Sequence, residues 1–263
     1  MATIIARASE STHWYRAEDG KPQYTVVAKD GSNRPTTLRD ARTMNLVPSV
    51  TTVMRIASKP GLDVWKNEQL LLAALTLPKI DGEPEKSFIA RVIADSKETA
   101  KRAAERGTRI HESIEKWYGG DKNVEHVAIA KAFEESVFNH FKTHPFQKWE
   151  TEVSFSNEMG FGGKTDLFTR QSTDTPLGIV LDAKTKEFDI DDDIPAYDEN
   201  LMQLAAYRIG LGLPNARCAN VFASASNHGL IKIHEWSEEE LQRGWAMFQA
   251  LLTFWKLKNK FGE

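Results

Sequence analysis

A single cysteine, Cys218, stands in the 263-residue chain. It cannot close an internal disulfide, and it excludes an iron–sulfur cluster, which needs several thiolates. No apolar run approaches the length of a membrane span, so no membrane partner is expected. The opening residues, MATIIARASESTHWYR, carry only a short apolar patch and no cleavage-site pattern. No signal peptide is expected there, and a cytoplasmic setting follows. A strong charge excess is also missing. A formal net charge of −3 argues against a protein that coats nucleic acid, but permits an enzyme that meets a few phosphates through bound metal. Repeats and low-complexity segments are absent. What remains is ordinary for a globular protein, 41% hydrophobic and 27% charged, and long enough for one large domain with a sizeable core or two small ones.

The charge is unevenly placed. Lys86 to Arg109 holds seven basic residues against three acidic ones, while acid gathers at Asp189-Ile-Asp-Asp-Asp193, a solvated loop or a fence that guides a strand. Residues 13–30 read as a hairpin turning at Asp19-Gly20. A short helix over 37–46 ends before Pro48, and Ser49 suits the N-cap of the next segment. Helical patterns follow over 62–77 and 86–106. Gly107-Thr108 is read as a break and a new helix start, with Ile110, Ile114 and Trp117 as its apolar stripe. A helix over 127–142 precedes strands at 149–155, 162–170 and 178–184. A helix over 198–211, strands at 218–225 and 230–236, and a last helix complete the chain. Ser237 and Glu240 form a capping box for that helix, whose buried stripe runs Leu241, Trp245, Phe248, Leu252, Trp255. The order implies an α/β core in 107–263, with a hairpin and helical region in 1–106 packed on it as one compact unit.

Asp-x-Lys occurs three times, but only Asp182-Ala183-Lys184 lies on a strand. Period two puts Ile179, Leu181 and Ala183 on one face and Val180, Asp182 and Lys184 on the other. An acid and a lysine side by side on a buried strand are either an ion pair at its end or chemistry. Asp166 sits one short connection upstream. If the two strands pair, Asp166 and Asp182 converge, and two carboxylates that close repel unless a cation lies between them. Hard oxygen ligands suit Mg²⁺ or Mn²⁺. The glycines before Asp166, Gly162 and Gly163, leave room for a backbone or a phosphate.

Asp166 followed by Asp182-x-Lys184 resembles the core signature of the PD-(D/E)XK nucleases, with Thr165 where the proline of the name would stand. Gly107-Thr-Arg-Ile-His111-Glu-Ser-Ile-Glu115 and Gln203-Leu-Ala-Ala-Tyr207 are similar to motifs of the RecB-type branch. A looser likeness to phage exonucleases and the mitochondrial genome maintenance exonuclease extends to Pro48-Ser-Val-Thr-Thr52 and Lys59–Trp65. The resemblance implies a restriction-endonuclease-like α/β core, with a mixed central sheet flanked by helices and a helical N-terminal extension. It implies a Mg²⁺-dependent deoxyribonuclease, with Mn²⁺ able to substitute and one or two ions bound. His111, Asp166, Asp182 and the Ala183 carbonyl would hold metal and Lys184 would act on the phosphate, with Glu115 and Lys164 in support. Gln203 and Tyr207 would bind nucleic acid and steady the lysine. Ser49 and Thr51 are further DNA-binding candidates, against a plain N-capped helix.

Arg102, Arg106 and Arg109 fall at helical spacing, to contact phosphates or to form a solvated face. The lysines of the tail (Lys256, Lys258, Lys260) complement the helix dipole. His13, His126, His140, His144, His228 and His234 show no ligand spacing. The expected activity is an exonuclease at DNA ends in phage-type recombination or repair, within a bacterial cytoplasm if phage-encoded. Its partners would be DNA and a single-strand annealing or single-strand-binding protein, with a homo-oligomer open. An RNA endonuclease of the same fold and an inactive DNA-binding scaffold are the alternatives.

Overall fold

The computed structural model describes residues 13–57, 60–144, 147–173 and 175–262. Residues 1–12 and Lys59, both read above, lie outside them. The chain runs through β1 (Trp14–Arg16), β2 (Thr25–Val27), β3 (Asn33–Pro35), α1 (Leu38–Thr43), β4 (Leu46–Pro48) and α2 (Val50–Met54). Helices α3 (Pro60–Thr76), α4 (Glu85–Tyr118) and α5 (Val127–Phe141) lead into β5 (Glu150–Asn157), β6 (Phe161–Thr169) and β7 (Ile179–Lys186). Then come α6 (Asp198–Gly210), β8 (Arg217–Ser224), β9 (Ile231–Trp236) and α7 (Glu238–Asn259).

The five later strands form one mixed sheet in the order β5-β6-β7-β8-β9. Only β7 and β8 are parallel, and α6 makes the crossover between them that parallel pairing requires. Strand alternation divides the core in two. Val180 and Phe168 face α2, α6 and α7, with β1 and β4 alongside, whereas Ile179, Leu181, Ala183 and Leu167 face the end of α4 and α5. The period-two reading of β7 therefore holds residue by residue. Helix α7 opens at Ser237 with the expected capping box, and Leu241, Phe248, Leu252 and Trp255 are buried while Trp245 is partly so. The buried Arg208 of α6 meets Glu238 of α7 through two hydrogen bonds, at 2.7 and 3.0 Å, and ties the two helices together. Among the described residues no helix is long and apolar enough to cross a membrane.

Three expectations are corrected. The 13–30 segment turns at Asp19-Gly20, but its ladder is a single bridge, Tyr15 to Pro22. Two hydrogen bonds flank it, from the Arg16 N–H to the Lys21 carbonyl at 2.9 Å and from the Gln23 N–H to the Trp14 carbonyl at 2.8 Å. Instead β1 pairs with β4, and β2 with β3. Second, α4 runs unbroken through Gly107. One glycine costs about 1 kcal/mol in a helix, and good helix formers on both sides outweigh it. The division at 106/107 therefore falls inside a helix, and Trp14, Leu46, Val50 and Val53 share one core with Phe161, Leu204 and Phe248. Third, the close approach at Gly162-Gly163 is by the protein's own backbone, as one of the two expectations had it, and by its side chains, rather than by a phosphate; a Cβ on Gly162 would lie 2.7 Å from the Phe155 carbonyl oxygen. A Cβ on Gly162 would lie 2.9 Å from Tyr15, and one on Gly163 would lie 2.8 Å from Phe155 and 2.9 Å from Tyr207.

Phe155 wedges between β6 and α6, and a Cβ at Gly210 would fall 1.9 Å from its ring. Helix propensity alone would make Gly210→Ala stabilising by up to about 1 kcal/mol. Overpacking against a buried ring outweighs that, so urea denaturation should show a net loss of about 1–3 kcal/mol. Phe155→Leu in the same background should recover part of it. A stabilised single variant would contradict the packing described.

Candidate functional site

Strands β6 and β7 pair at Leu167↔Leu181, Phe168↔Val180 and Thr169↔Ile179, and the ladder stops there. Continuing the register would set Asp166 opposite Asp182. Instead the strands part, and Asp166 Oδ2 accepts the Ala183 N–H at 2.9 Å in place of a backbone carbonyl. The N–H and C=O of a strand residue leave toward the same neighbour, so the Ala183 carbonyl also faces the gap. On the other side of β6, Glu152 stands in register with Asp166 but has φ +55°, which interrupts that ladder too. A left-handed conformation costs a non-glycine residue about 1–2 kcal/mol. Asp166 thus sits where β6 is unpaired on both edges.

A small cavity opens at this point, about 10 Å³, lined by His111, Glu115, Glu152, Asp166 and Ala183 over an apolar floor. That is room for about one water or one small cation. His111 reaches it from α4, its Nδ1 3.9 Å from Asp166 Oδ2. Glu152 was not found by sequence reasoning. Lys164, expected in support, is the ion-pair partner of Glu152, which lines the cavity.

Asp182 does not line this cavity, but its charge acts on Asp166, and its side chain is only 2% exposed. Burying a carboxylate costs several kcal/mol unless donors surround it. Here Lys184 Nζ lies 2.7 Å from each of its oxygens, and Asn220 Nδ2 donates to Oδ2 at 2.7 Å. The Trp236 indole donates to Asn220 Oδ1 at 2.8 Å, which turns the Asn220 amide nitrogen toward Asp182. Lys184 also donates to Gln203 Oε1 at 3.3 Å, and Gln203 Nε2 donates to the Tyr207 hydroxyl at 3.0 Å. The four-residue spacing on α6 thus serves the lysine. Tyr207 is only 5% exposed. Asn220 and Trp236 escaped sequence reasoning, the only hint being one amide inside the apolar run CANVFASA.

The electrostatics separate the groups. Burial first, then the Asp182 charge, raise the Asp166 carboxyl above the ordinary aspartate value, against the His111 and Lys184 charges and the Ala183 N–H. Lys184 lies above the ordinary lysine value: burial pulls it down, but the Asp182 and Asp166 charges outweigh that. It is therefore an ammonium and a donor. Burial chiefly, with both aspartates, keeps the Tyr207 hydroxyl protonated.

No family model matches the chain, and no curated protein does. Among solved structures, one titled "Crystal structure of SSO0001" is similar at 17% identity, over 73% of this chain and 87% of that chain, with a TM-score of 0.28. So loose a superposition carries no argument about this chain.

The remaining candidates lie apart. Each arginine of the α4 stripe faces a carboxylate: Arg102 with Glu98 at 3.4 Å, Arg109 with Glu125 at 3.3 Å, and Arg106 with Glu187. Glu187 directly follows the last residue of β7. Ser49 is a correction, because it is buried and its hydroxyl caps α2, accepting the Thr52 N–H at 2.9 Å. The Thr51 hydroxyl stands 3.0 Å from it. The cap holds α2 on the core and leaves Ser49 nothing to offer a ligand.

Among the described residues no three His, Cys, Asp or Glu side chains form a group close enough to hold a metal. The reason is visible in Asp182, whose oxygens are turned to Lys184 and Asn220. The donor types fit a hard divalent ion nonetheless: Asp166, His111 and the Ala183 edge border a cation-sized cavity, and the Asp182 charge acts on Asp166.

Because the Asp166 carboxyl is raised on folding, it binds its proton more tightly in the folded state. Stability is then lost as pH rises from the unfolded value through the folded one, and the loss persists above it. Asp166→Asn removes that loss. In EDTA at neutral pH its thermal midpoint should exceed the wild type's, by about 2–4 °C per kcal/mol regained. The gap should close in acid, below the ordinary aspartate range. A variant less stable than wild type at neutral pH would show that Asp166 is not the unfavourably placed charge described.

Proposed function

We propose that the chain is a metal-dependent nuclease with a PD-(D/E)XK-type core of the RecB branch, acting on DNA and most simply as an exonuclease at ends. One observation carries the reading. Two aspartates, an ammonium and an imidazole converge where a sheet ladder parts, although burial and the Asp182 charge make that place unfavourable for an ionised Asp166. Packing alone gives no reason to aim a charged carboxylate at a one-cation cavity, and sites of function are where such losses are kept.

Asp166, Asp182, His111 and the Ala183 carbonyl would hold Mg²⁺ or Mn²⁺. A divalent ion so bound supplies Lewis-acid polarisation of a phosphoryl oxygen and makes water a better nucleophile. The chain's own residues do the rest. Lys184, held protonated by the aspartates, offers N–H donors and a positive charge to the phosphate as its negative charge grows. Gln203 fixes the direction of that ammonium, and Tyr207 fixes Gln203. Asn220, oriented by Trp236, holds Asp182 stationary, so the geometry needs little reorganisation during the reaction. Glu115 and Glu152 are acceptors at the cavity rim, suited to hold a water or a proton there.

The test is a time course on end-labelled linear DNA, covalently closed circular DNA and matched RNA, with Mg²⁺, Mn²⁺ or EDTA. Linear DNA should shorten from its ends in either metal, with circles and RNA intact and EDTA samples inert. Asp166→Asn, which is expected to fold at least as well as wild type, should lose activity by about 100-fold or more, the scale of losing one electrostatic stabiliser. Cut circles would replace the exonuclease by an endonuclease, and preferred cleavage of RNA would favour an RNA endonuclease. Nucleic-acid binding with no cleavage in any metal would favour an inactive scaffold.

A further inference from the structure

Lys186 stands two residues beyond Lys184 on β7, so the strand's alternation puts Asp182, Lys184 and Lys186 on one face. Its ammonium lies 5.1 Å from the centre of the Tyr197 ring and 5.1 Å from that of Phe222. Tyr197 is itself held in place, because a Cβ on Gly61 would come within 2.8 Å of its ring. The two rings therefore fix where the lysine's stem lies and where its head emerges.

The head is not matched by the protein. Among the described residues Lys186 Nζ donates no hydrogen bond and forms no ion pair, and Glu199, in the first turn of α6, acts on it only at longer range. Lys184 has Asp182, Lys164 has Glu152, and each arginine of the α4 stripe has a carboxylate. Ring faces offset part of the burial of a cation, about 0.5–2 kcal/mol, but they accept few of its N–H donors. Burial first, with the Lys184 charge adding and Glu199 opposing, holds the Lys186 ammonium below the ordinary lysine value. A half-buried cation on the strand face that carries Asp182 and Lys184, with its donors uncommitted, is suited to an anionic ligand.

We propose that Lys186 is a second phosphate-binding lysine, taking the phosphodiester next to the one on which Lys184 acts. This rests on the nuclease reading. Two residues along a strand span about 6.6 Å, comparable with the separation of successive phosphates in an extended nucleic-acid strand. Lysine binds phosphate as a point charge and needs no fixed fork geometry, so a stem clamped by rings suffices to position it. Lys186 thereby sets the register of the strand and brings the scissile phosphate to Lys184. It is a positioning residue, not a catalytic one.

The probe is a fluorescein-labelled single-stranded DNA oligonucleotide, with a matched RNA, titrated by anisotropy in EDTA over a series of KCl concentrations. Lys186→Met keeps the stem against both rings and removes the charge, so the fold is retained. Its plot of log affinity against log salt should be shallower than wild type by roughly 0.7–0.9, the contribution of one phosphate contact. Lys186→Arg should restore the wild-type slope, which a role confined to packing would not require. An unchanged slope in Lys186→Met overturns the inference and leaves the nuclease reading standing. If the wild type binds neither DNA nor RNA at any salt in EDTA, this inference fails, whereas the nuclease reading, in which phosphate is met through metal, is decided by the cleavage time course.

Discussion

Two carboxylates set side by side at the end of a β-ladder would drive each other apart in a medium of low dielectric. Everything near them is arranged to prevent that. The ammonium of Lys184 neutralises Asp182 from one side, and the Asn220 amide, locked by Trp236, fills its remaining acceptor. Asp166 finds a backbone N–H only because β6 and β7 separate at that residue. A left-handed Glu152 opposite keeps the other edge of β6 unpaired as well. The site is thus a local failure of sheet regularity, maintained by side chains that substitute for the missing ladder.

The rest of the fold keeps that failure local. The parallel β7–β8 pair is continuous from Ile179↔Arg217 to Lys186↔Ser224, so β7 is rigid along one edge while it opens along the other. Helix α6 lies across the same face, with Arg208 binding it to α7 at one end and Gln203 reaching Lys184 at the middle. The N-terminal strands are part of this support: Tyr15 packs on Gly162, and Phe155 fills the space between β6 and α6. Helix α4 is continuous through Gly107, so His111 is carried on a rigid rod whose first half packs with α3.

Much of this was legible in the residues because it follows from short-range periodicity. The alternation of Ile179 to Lys184 assigns faces correctly without knowledge of the partner strands, and the Ser237–Glu240 capping box places the start of α7. The four-residue spacing of Gln203 and Tyr207 predicts their shared face, though not that Tyr207 is buried. What escaped depends on register or on backbone angles that no local pattern encodes. Glu152 meets Asp166 only through the β5–β6 register, and its positive φ contradicts the preference of glutamate. Asn220 reaches Asp182 across a parallel pair separated by a whole helix. Conversely, Gly107 carried a local break signal that the helix formers around it overrode, and the Asp19-Gly20 turn formed but its strands paired chiefly elsewhere.

The central claim is that the parted ladder holds a divalent cation, and calorimetric titration of Mn²⁺ into the protein tests it without reference to activity. Saturable binding is predicted for the wild type, weakened by about 10-fold or more in Asp166→Asn, since even supporting groups change metal affinity on that scale. A wild-type titration indistinguishable from dilution heat, or identical isotherms for the two proteins, would contradict it.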